Sequence, residues 1–364
     1  MSKRPVIIGG GPAGSAAAIA LARAGAEPLL IERDAGPLDA VCGGFLSWRT
    51  LEQLKALGLS VEALGGQTVR RVRLFAGGRQ AEARLPESGM GLSRQRLDAL
   101  MLDTAGAVGT EIRRGVAVRA VESGAAILAG GERIEADAIF LASGKYGLPG
   151  LTRHATGRAA ADHALGLRLV VPPSPVLPDL VGDAVELHLF DGGYAGIVRQ
   201  ETGRLNIAIA THKSALADAG GQPWGLLARW ADQSPDFAAR LERAAPNAAQ
   251  IDAIGAVPYG WMARTGSPGL WRLGDQAACI PSLAGEGMGI AIASATSAVA
   301  AWRQGLDSGH WQAEFARRLS GPMRIATPLW RAAETPALAR LAVRAISIAP
   351  QLVRQLGAWT RVSP

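Results

Sequence analysis

The 364-residue sequence has only two cysteines, and no apolar run in it is long enough to cross a membrane. Cys42 and Cys279 lie far apart and outside any metal-ligand spacing, which argues against a disulfide framework and against a metal site. The first residues, MSKRPVIIGGG, lead directly into an apolar strand pattern without a signal core or a cleavage site. We therefore expect a cytoplasmic protein that binds no metal.

Charge is also sparse, because charged residues make up only 19% of the chain while hydrophobic residues make up 48%. This balance predicts a folded protein rather than a disordered one. Four of the 38 basic residues are lysine, so 34 are arginine, and the formal net charge is +7. At roughly 100–200 residues per domain, the length predicts two domains or one elaborated domain.

Positive charge is concentrated in the last part of the chain, where 311–364 carries eight arginines and two acids. One helical pattern there places Arg340 and Arg344 four residues apart, away from the apolar positions Leu338, Leu341 and Ile348, with Trp359 farther on. Two interpretations remain open. The segment is either a solvated arginine-rich face or a surface that contacts a membrane or an acidic carrier protein. Nucleic acid is not among the expected partners.

The N-terminal stretch RPVIIGGGPAGSAAAIALARAGAEPLLIERD has the parts of a dinucleotide-binding βαβ unit. Gly9 allows the tight turn after the first strand, Gly11 lets backbone approach a pyrophosphate, and Gly14 lets the helix pack on the strand. The helix N-terminus offers N–H groups and partial positive charge to the phosphates. Glu32 ends the second strand at the spacing of a ribose-binding carboxylate, which argues against NADP in this site and leaves NAD or FAD.

A second glycine-rich element, LWRLGDQAACIPSLAGEGMGIAIASATSAVAAW, distinguishes between these two cofactors. It predicts a strand that ends in Gly274 and Asp275, then a loop, then a helix of small residues. A carboxylate and a helix N-terminus in this order suit the ribityl hydroxyls and the N1–C2=O edge of a flavin. The sequence therefore favours FAD.

Three separated motifs, GGGPAG…IE, GLSRQRLDALML and LGDQAACIPSLAGEGMGIAIASA, resemble the FAD-dependent oxidoreductases of the geranylgeranyl reductase type. These belong to the para-hydroxybenzoate-hydroxylase-like flavoproteins. The resemblance implies one bound FAD and no nicotinamide domain. We expect the FAD to accept hydride from NAD(P)H as an external reductant, or electrons from another donor. It also implies cofactor contacts from Arg94, from backbone near Val118 and from the Cys42–Gly43 pair. Where the hydroxylase group has an Asp-Gly pair, this sequence has ASGKYG.

From the fingerprint and the resemblance we expect a large set of cofactor-binding residues: Gly9, Gly11, Pro12, Ala13, Gly14, Glu32, Arg33, Cys42, Gly43, Arg94, Val118, Gly274, Asp275, Gly285, Gly287 and Met288. Aromatic and histidine side chains in the remaining segments are candidates for substrate contact: Trp48, His188, Tyr194, Tyr259 and Trp261. Each of these has an alternative as an ordinary packed residue. Cys42 is the candidate catalytic residue, either as a proton donor or as a polarizable filler against the flavin.

The predicted fold class is α/β. A Rossmann-like FAD-binding domain is expected from 1–60, 90–150 and 265–310, and an inserted antiparallel-sheet substrate domain from 61–89 and 151–264. The segment TVRRVRLFAGGRQAEARLP predicts a hairpin, and AVELHLFDGGYAGIVRQETGRLNIAIATH predicts three strands. Residues 311–364 are expected to be helical, with breaks at Pro322, Pro328, Pro336 and Pro350.

These features predict a FAD-dependent oxidoreductase that reduces or forms a C=C bond in a hydrophobic substrate of lipid, isoprenoid or polyketide type. The alternative is a monooxygenase that uses NAD(P)H and O₂. A third class, a flavin-bearing redox-sensing or carrier-binding protein with negligible turnover, is also open. Membrane association through the basic C-terminal segment remains a hypothesis at this point.

Overall fold

The structure is a computed structural model that describes the following residues: 4–151, 153, 161–242 and 250–361. Parts of the expected segments 1–60, 151–264 and 311–364 therefore lie outside the described residues. The strands, in chain order, are β1 (Arg4–Ile8), β2 (Leu29–Glu32), β3 (Phe45–Leu46), β4 (Gln67–Ala76), β5 (Arg79–Gly91), β6 (Glu111–Arg114), β7 (Val118–Glu122), β8 (Ala125–Leu128), β9 (Arg133–Leu141), β10 (Ala164–Val171), β11 (Ala184–Phe190), β12 (Gly193–Arg199), β13 (Leu205–His212), β14 (Ile251–Val257) and β15 (Leu270–Arg272).

The helices follow from capping signals and apolar periodicity in the sequence. They are α1 (Pro12–Arg23), α2 (Trp48–Ala56), α3 (Val61–Leu64), α4 (Arg94–Ala107), α5 (Leu177–Val181), α6 (Lys213–Asp218), α7 (Pro223–Gln233), α8 (Pro235–Leu241), α9 (Gly287–Arg303), α10 (Ser308–Ala333), α11 (Pro336–Ile348) and α12 (Gln351–Thr360). Two short 3₁₀ helices cover Gly274–Gln276 and Ser282–Ala284. Among the described residues, no helix combines the length and the hydropathy that crossing a bilayer requires.

The first sheet, sheet A, has the order β6-β2-β1-β9-β8-β7, and β15 also pairs with β9. Strand β1 is parallel to both β2 and β9, and β15 is parallel to the final residues of β9. Strands β7 and β8 form an antiparallel extension. Because parallel strands end at the same edge, the turns after β1, β2, β9 and β15 meet there.

The second sheet, sheet B, has the order β14-β10-β13-β12-β11-β4-β5-β3, and its neighbours are antiparallel except for the parallel pair β4 and β11. The predicted hairpin is confirmed as β4–β5, with Gly77 and Gly78 at its turn in positive φ of 54° and 71°. The three predicted strands are β11, β12 and β13. The fold class is therefore confirmed, whereas the domain boundaries stay predictions.

Sheet B is covered on both faces. One face packs against α7 and α8 through a core that includes Phe190, Trp230 and Phe237. The other face packs against α10 and α11: Val343 shares a core with side chains of β4 and β5, and Trp330 stacks on His212 of β13 with ring centres 5.7 Å apart. Since side chains alternate along a strand, neighbouring residues of β11 enter different cores.

The C-terminal segment is helical as predicted, but two of the expected breaks are wrong. Pro322 and Pro328 lie inside the 26-residue helix α10, while Pro336 begins α11 and Pro350 immediately precedes α12. A proline removes one backbone hydrogen bond from a helix. In α10 this loss is offset by a long apolar stripe that is buried against the rest of the protein: Trp311, Phe315, Leu319, Met323, Ala326 and Trp330.

Close packing around the turn between β1 and α1 explains why Gly9 and Gly14 have no side chain. Gly9 has φ +106°, and a Cβ there would lie 2.5 Å from the Ala142 carbonyl oxygen. A Cβ on Gly14 would lie 1.8 Å from the Gly9 carbonyl oxygen. Any larger residue at Gly14 therefore forces α1 away from β1, which would displace the N-terminus of the helix.

A buried ionic cluster joins sheet B to α8. Glu186 is fully buried and accepts hydrogen bonds from Arg240 at 2.7 and 2.9 Å and from Arg73 at 2.7 Å. His188 lies 3.2 Å from the same carboxylate. Burial alone would raise the pKa of Glu186, but hydrogen bonds from His188 and Arg240 dominate and lower it from 4.5 to about 2.

Ionised Glu186 therefore stabilises the fold above the carboxyl pKa of the unfolded chain, and this contribution disappears as pH falls towards 2. We expect Glu186→Gln to lower the free energy of unfolding by about 3 kcal/mol at pH 7, with a penalty that shrinks below about pH 4. Urea unfolding between pH 7 and pH 3 measures this difference. Glu314→Gln, in an exposed pair with Arg317, is the control. A loss of unfolding free energy in Glu186→Gln that does not change with pH would contradict a stabilising role of the ionised Glu186 carboxylate.

Candidate active site

A large apolar cavity of about 440 Å³ lies between the carboxyl edge of sheet A, sheet B and the C-terminal helices. Its lining brings together most of the residues predicted to bind cofactor or substrate: Gly11, Pro12, Ala13, Cys42, Gly43, Trp48, Arg94, Tyr194, Tyr259, Gly274, Asp275, Gly285, Gly287 and Met288. These residues come from separate parts of the chain. Their convergence follows from the shared edge at which the parallel strands end.

Helix α1 presents its N-terminus to this cavity. Gly11 is its N-cap, and no side chain caps the free N–H groups of the first turn. By contrast, α2 and α4 are capped by Ser47 and Ser93. An uncapped N-terminus in a cavity suits an anionic group such as a pyrophosphate.

Arg94 lies beside this helix end at the start of α4. Its guanidinium forms two hydrogen bonds with Asp98, at 2.8 and 2.6 Å. Burial opposes its charge, but Asp98 outweighs burial and raises the pKa of Arg94. A Cβ built on Gly11 would lie 3.2 Å from the Arg94 Nη2 atom, so the glycine and the cation face each other. The pair can hold a phosphate between backbone N–H groups and a permanent positive charge.

Glu32 lies at the end of β2, next to the glycine turn. Its Oε2 accepts from the Gly10 N–H at 2.5 Å and its Oε1 from the Asp34 N–H at 2.9 Å. The Val116 N–H donates to the Glu32 carbonyl oxygen at 3.0 Å, which places the segment leading to Val118 beside this strand end. This region is outside the apolar cavity and suits the adenosine half of a dinucleotide.

Arg33 is exposed, and its guanidinium stacks 3.7 Å above the ring of Tyr146. Tyr146 belongs to the ASGKYG turn after β9, so the contact joins two loops at the edge of sheet A. Its position beside Glu32 is compatible with the predicted cofactor contact, which stays a prediction.

A second uncapped helix N-terminus also lines the cavity. Helix α9 begins at Gly287 with no side-chain cap, and a Cβ on Gly287 would meet no atom within 4 Å. A Cβ on Gly43 would also enter open space. Backbone without a side chain at Gly43 and Gly287 leaves room for a flat ring, here termed the cofactor slot. The residues present therefore fit FAD: the N-terminus of α1 would hold its pyrophosphate, and Gly43 and the N-terminus of α9 would hold the flavin.

Asp275 and Lys145 form a charged pair at this slot, 3.8 Å apart. Burial lowers the pKa of Lys145, but Asp275 and other nearby groups outweigh burial and raise it. Asp275 follows β15, as predicted from the sequence. Its hydrogen bond with a sugar-like hydroxyl of the cofactor stays a prediction. Lys145 was not predicted, although the departure of ASGKYG from the Asp-Gly pair was a signal that this turn differs.

The loop carrying Cys42 is held by buried polar side chains of sheet B. The Asn206 amide donates to the carbonyl oxygens of Cys42 and Gly43, both at 2.9 Å. Arg168 orients that amide through a 2.8 Å bond to the Asn206 Oδ1 atom. Arg168 also donates to the Asp39 carbonyl oxygen at 2.8 Å and pairs with the Asp39 carboxylate. The backbone of Cys42 is therefore fixed while its thiol lines the cavity.

Farther along the cavity, three hydroxyl groups meet in apolar surroundings. The Ser282 hydroxyl lies 2.5 Å from the Tyr194 hydroxyl and 3.0 Å from the Tyr259 hydroxyl. Burial raises the pKa of Tyr259 to about 12 and that of Tyr194 well above 10, so both phenols are neutral. The cluster is able to donate to and accept from one polar substrate group. Ser282 was not identified from the sequence, because a single serine in a loop has no pattern.

The residue that follows α12 packs against the cavity lining near the start of α9. Arg361, just after α12, donates to the Glu286 carboxylate at 2.5 Å and to the Ala284 carbonyl oxygen at 2.7 Å. Its guanidinium lies 4.8 Å from the ring centre of Trp48. Trp48 is therefore a wall of the cavity, shielded from water by the C-terminal segment.

Two predicted substrate residues lie elsewhere. His188 is on the face of β11 opposite to Leu187 and Leu189, and it stacks on Phe75 with ring centres 4.2 Å apart. Strand alternation therefore places His188 in the core against α8, as a packed histidine. Trp261 lies in the loop after β14, outside the cavity lining.

Comparison with known proteins agrees with this geometry. Residues 4–132 match the family model described as "FAD binding domain". The fold and the cofactor site define a FAD-dependent oxidoreductase. In sequence, the chain is 27% identical over 304 residues to a menaquinone reductase of Mycolicibacterium smegmatis, covering 78% of this chain and 72% of that protein.

Solved structures share the fold at lower sequence identity. A geranylgeranyl bacteriochlorophyll reductase-like protein from Thermoplasma acidophilum superposes with a TM-score of 0.72 and 20% identity, covering 99% of this chain and 93% of that chain. A flavin-dependent brominase superposes with a TM-score of 0.77 and 16% identity, covering 98% and 93%. The architecture is thus common to reductases and halogenases.

The cofactor assignment predicts the behaviour of Gly11→Val. Gly11 has an extended backbone with φ −73°, which valine adopts, so the fold should persist while the side chain fills the phosphate space. We expect FAD content to fall about tenfold or more, because the pyrophosphate loses charge-assisted hydrogen bonds. Heat-released FAD per protein, together with the urea unfolding midpoint, measures both effects. Gly130→Val, with open space around it, is the control. Full FAD content in Gly11→Val would contradict the assignment of the α1 N-terminus to the cofactor site.

Proposed function

We propose that this protein reduces a C=C bond in a hydrophobic, isoprenoid-type lipid by means of bound FAD, with NAD(P)H as the external reductant. The observation that carries the proposal is the apolar cavity. It runs from the Cys42–Gly43 loop between sheet B and the C-terminal helices to Ala342 and Val353 on α11 and α12. A cavity that extends between these elements and has a mainly apolar lining favours an apolar molecule over a small polar one.

Sequence similarity supports the same substrate class. The relative from Mycolicibacterium smegmatis is named as a reductase of menaquinone, which is a lipid with an apolar tail. The match extends over most of both chains. The brominase shares only the fold, so its chemistry carries no weight here. Reduction of a double bond in a lipid such as an isoprenoid quinone agrees with both the cavity and the relative.

The proposed reaction adds one hydride and one proton across the double bond. When bound, FAD supplies the hydride. Gly43 and the N-terminus of α9 would hold the flavin ring, while Trp48 and the Arg361 segment exclude water. The Cys42 thiol supplies the proton to the second carbon, and the Tyr194–Ser282–Tyr259 hydroxyls position a polar group of the substrate.

Product analysis tests the reaction. Holoenzyme is reduced with dithionite under anaerobic conditions, mixed with a menaquinone that has a polyisoprenyl tail, and the lipid is examined by mass spectrometry. We expect a product that has gained two hydrogens on a tail carbon pair. A parallel aerobic reaction with NADH that yields only an oxygen-containing product would contradict reduction and favour monooxygenation. Absence of any lipid product would reject the substrate class.

A variant at the far end of the cavity sharpens this experiment. Ala342 lines the cavity, whereas Ala345 lies on the same helix outside the lining. Ala342→Trp should reduce turnover of the long-tailed substrate about tenfold and spare a short-tailed analogue, because the indole fills the distal space. Ala345→Trp is the matched control. Equal effects on both substrates would contradict a lipid tail in this part of the cavity.

The role of Cys42 is tested at equal FAD content. Cys42→Ala should lower turnover about 100-fold while the rate of reduction by NAD(P)H stays the same, because only the proton donor is removed. Cys42→Ser, which retains an O–H, should lose less than Cys42→Ala. Parental turnover in both variants would mean that Cys42 only packs against the cofactor.

A further inference from the structure

The C-terminal helices leave large apolar side chains in solvent. On α11, Leu338, Leu341 and Ile348 are 47%, 62% and 75% exposed, and on α12 Trp359 is 57% exposed. The other large apolar residues with high exposure are scattered singly over different elements of the described chain. Scattered exposure is ordinary, whereas three such residues on α11 and a fourth on the next helix give this segment an exposed apolar surface, here termed the apolar patch.

The spacing along α11 separates this patch from the inward face. Ala339, Val343 and Ile346 are buried against sheet B, at steps of four and three residues. Leu338, Leu341 and Ile348 follow a second stripe, offset from the first around the helix. The helix is therefore apolar on an inner face and again on an outer face. Among the described residues, the inner face packs on sheet B and the outer apolar side chains are exposed.

The charge of this segment has one sign. From Thr335 to Pro364 the chain has four arginines and no acidic residue. Arg361 pairs with Glu286, whereas Arg344 and Arg354 are exposed on α11 and α12. Exposed apolar residues flanked by arginines match a surface that is apolar inside and negatively charged at its boundary.

The same two helices form a wall of the cavity. Ala342 and Ile346 of α11 and Val353 and Leu356 of α12 line it, within one or two residues of the exposed patch. A lipid held at this outer face is therefore separated from the cavity by the thickness of one helix. This arrangement places the apolar patch beside the distal end of the proposed substrate site.

We propose that the outer face of α11 and α12, formed by Leu338, Leu341, Ile348 and Trp359 with Arg344 and Arg354, is a docking surface for an anionic lipid bilayer. The helices lie in the plane of the interface, with the apolar side chains among the lipid tails and the arginines at the phosphates. Delivery of a lipid substrate from this surface rests on the proposed function. Vesicle binding is measured without turnover, so the two are tested separately.

Flotation of the full-length holoenzyme tests the surface. The protein is mixed at low salt with phosphatidylcholine vesicles that contain or lack phosphatidylglycerol. We expect flotation with the anionic vesicles, release at high salt and little binding to the neutral vesicles. Arg344→Gln/Arg354→Gln should weaken binding about 30-fold, and Leu341→Ser/Ile348→Ser at least about tenfold.

Matched variants make the result specific. Arg229→Gln/Arg303→Gln removes the same charge from α7 and α9, and Val61→Ser/Leu306→Ser removes exposed apolar residues elsewhere. Both controls should float like the parent, and unfolding midpoints verify that every variant is folded. The proposal is overturned by absence of flotation at low salt, by equal binding to neutral vesicles, or by equal loss in the controls. Self-association that depends on Leu341 and Ile348, without vesicle binding, would also overturn it.

Discussion

The two sheets of this protein are joined at the active site by the buried guanidinium of Arg168. It bonds Asn206 on one side and Asp39 on the other, and the Asp39 carboxylate also accepts the Arg94 N–H at 3.0 Å. One buried cation thus links β10, the Cys42 loop and the start of α4. Because a buried charge without partners is costly, this network selects a single arrangement of the loop, from which the geometry of the cofactor slot follows.

The cofactor slot is defined as much by missing side chains as by those present. Gly43 and Gly287 leave open space, Gly11 leaves room beside the Arg94 guanidinium, and α1 and α9 both begin without a side-chain cap. The helix N-termini therefore retain unsatisfied donors and partial positive charge for a ligand. Further polar groups of the lining include Asp275, Lys145 and the hydroxyls of Tyr194, Ser282 and Tyr259, whereas most of the lining is apolar.

Sheet B separates structural from functional roles by strand alternation. In β11, Glu186 and His188 face α8 and stabilise the fold, while Leu187 and Leu189 face the cavity. The C-terminal helices complete that cavity. Arg361, which directly follows α12, binds the Glu286 carboxylate in the loop before α9. The same helices carry the exposed apolar and basic residues, so one wall of the cavity and the outer surface belong to one segment.

The sequence alone determined the local elements of the fold, because these depend on residues close together in the chain. The βαβ fingerprint and the Gly77–Gly78 hairpin follow from local periodicity and turn chemistry, and the structure agrees with both. Only tertiary structure decided the rest. It paired Arg168 with Asp39, and it kept α10 intact through Pro322 and Pro328, because packing outweighed a local penalty. Contacts between residues over a hundred positions apart depend on how the sheets pack, and local sequence carries no record of that packing.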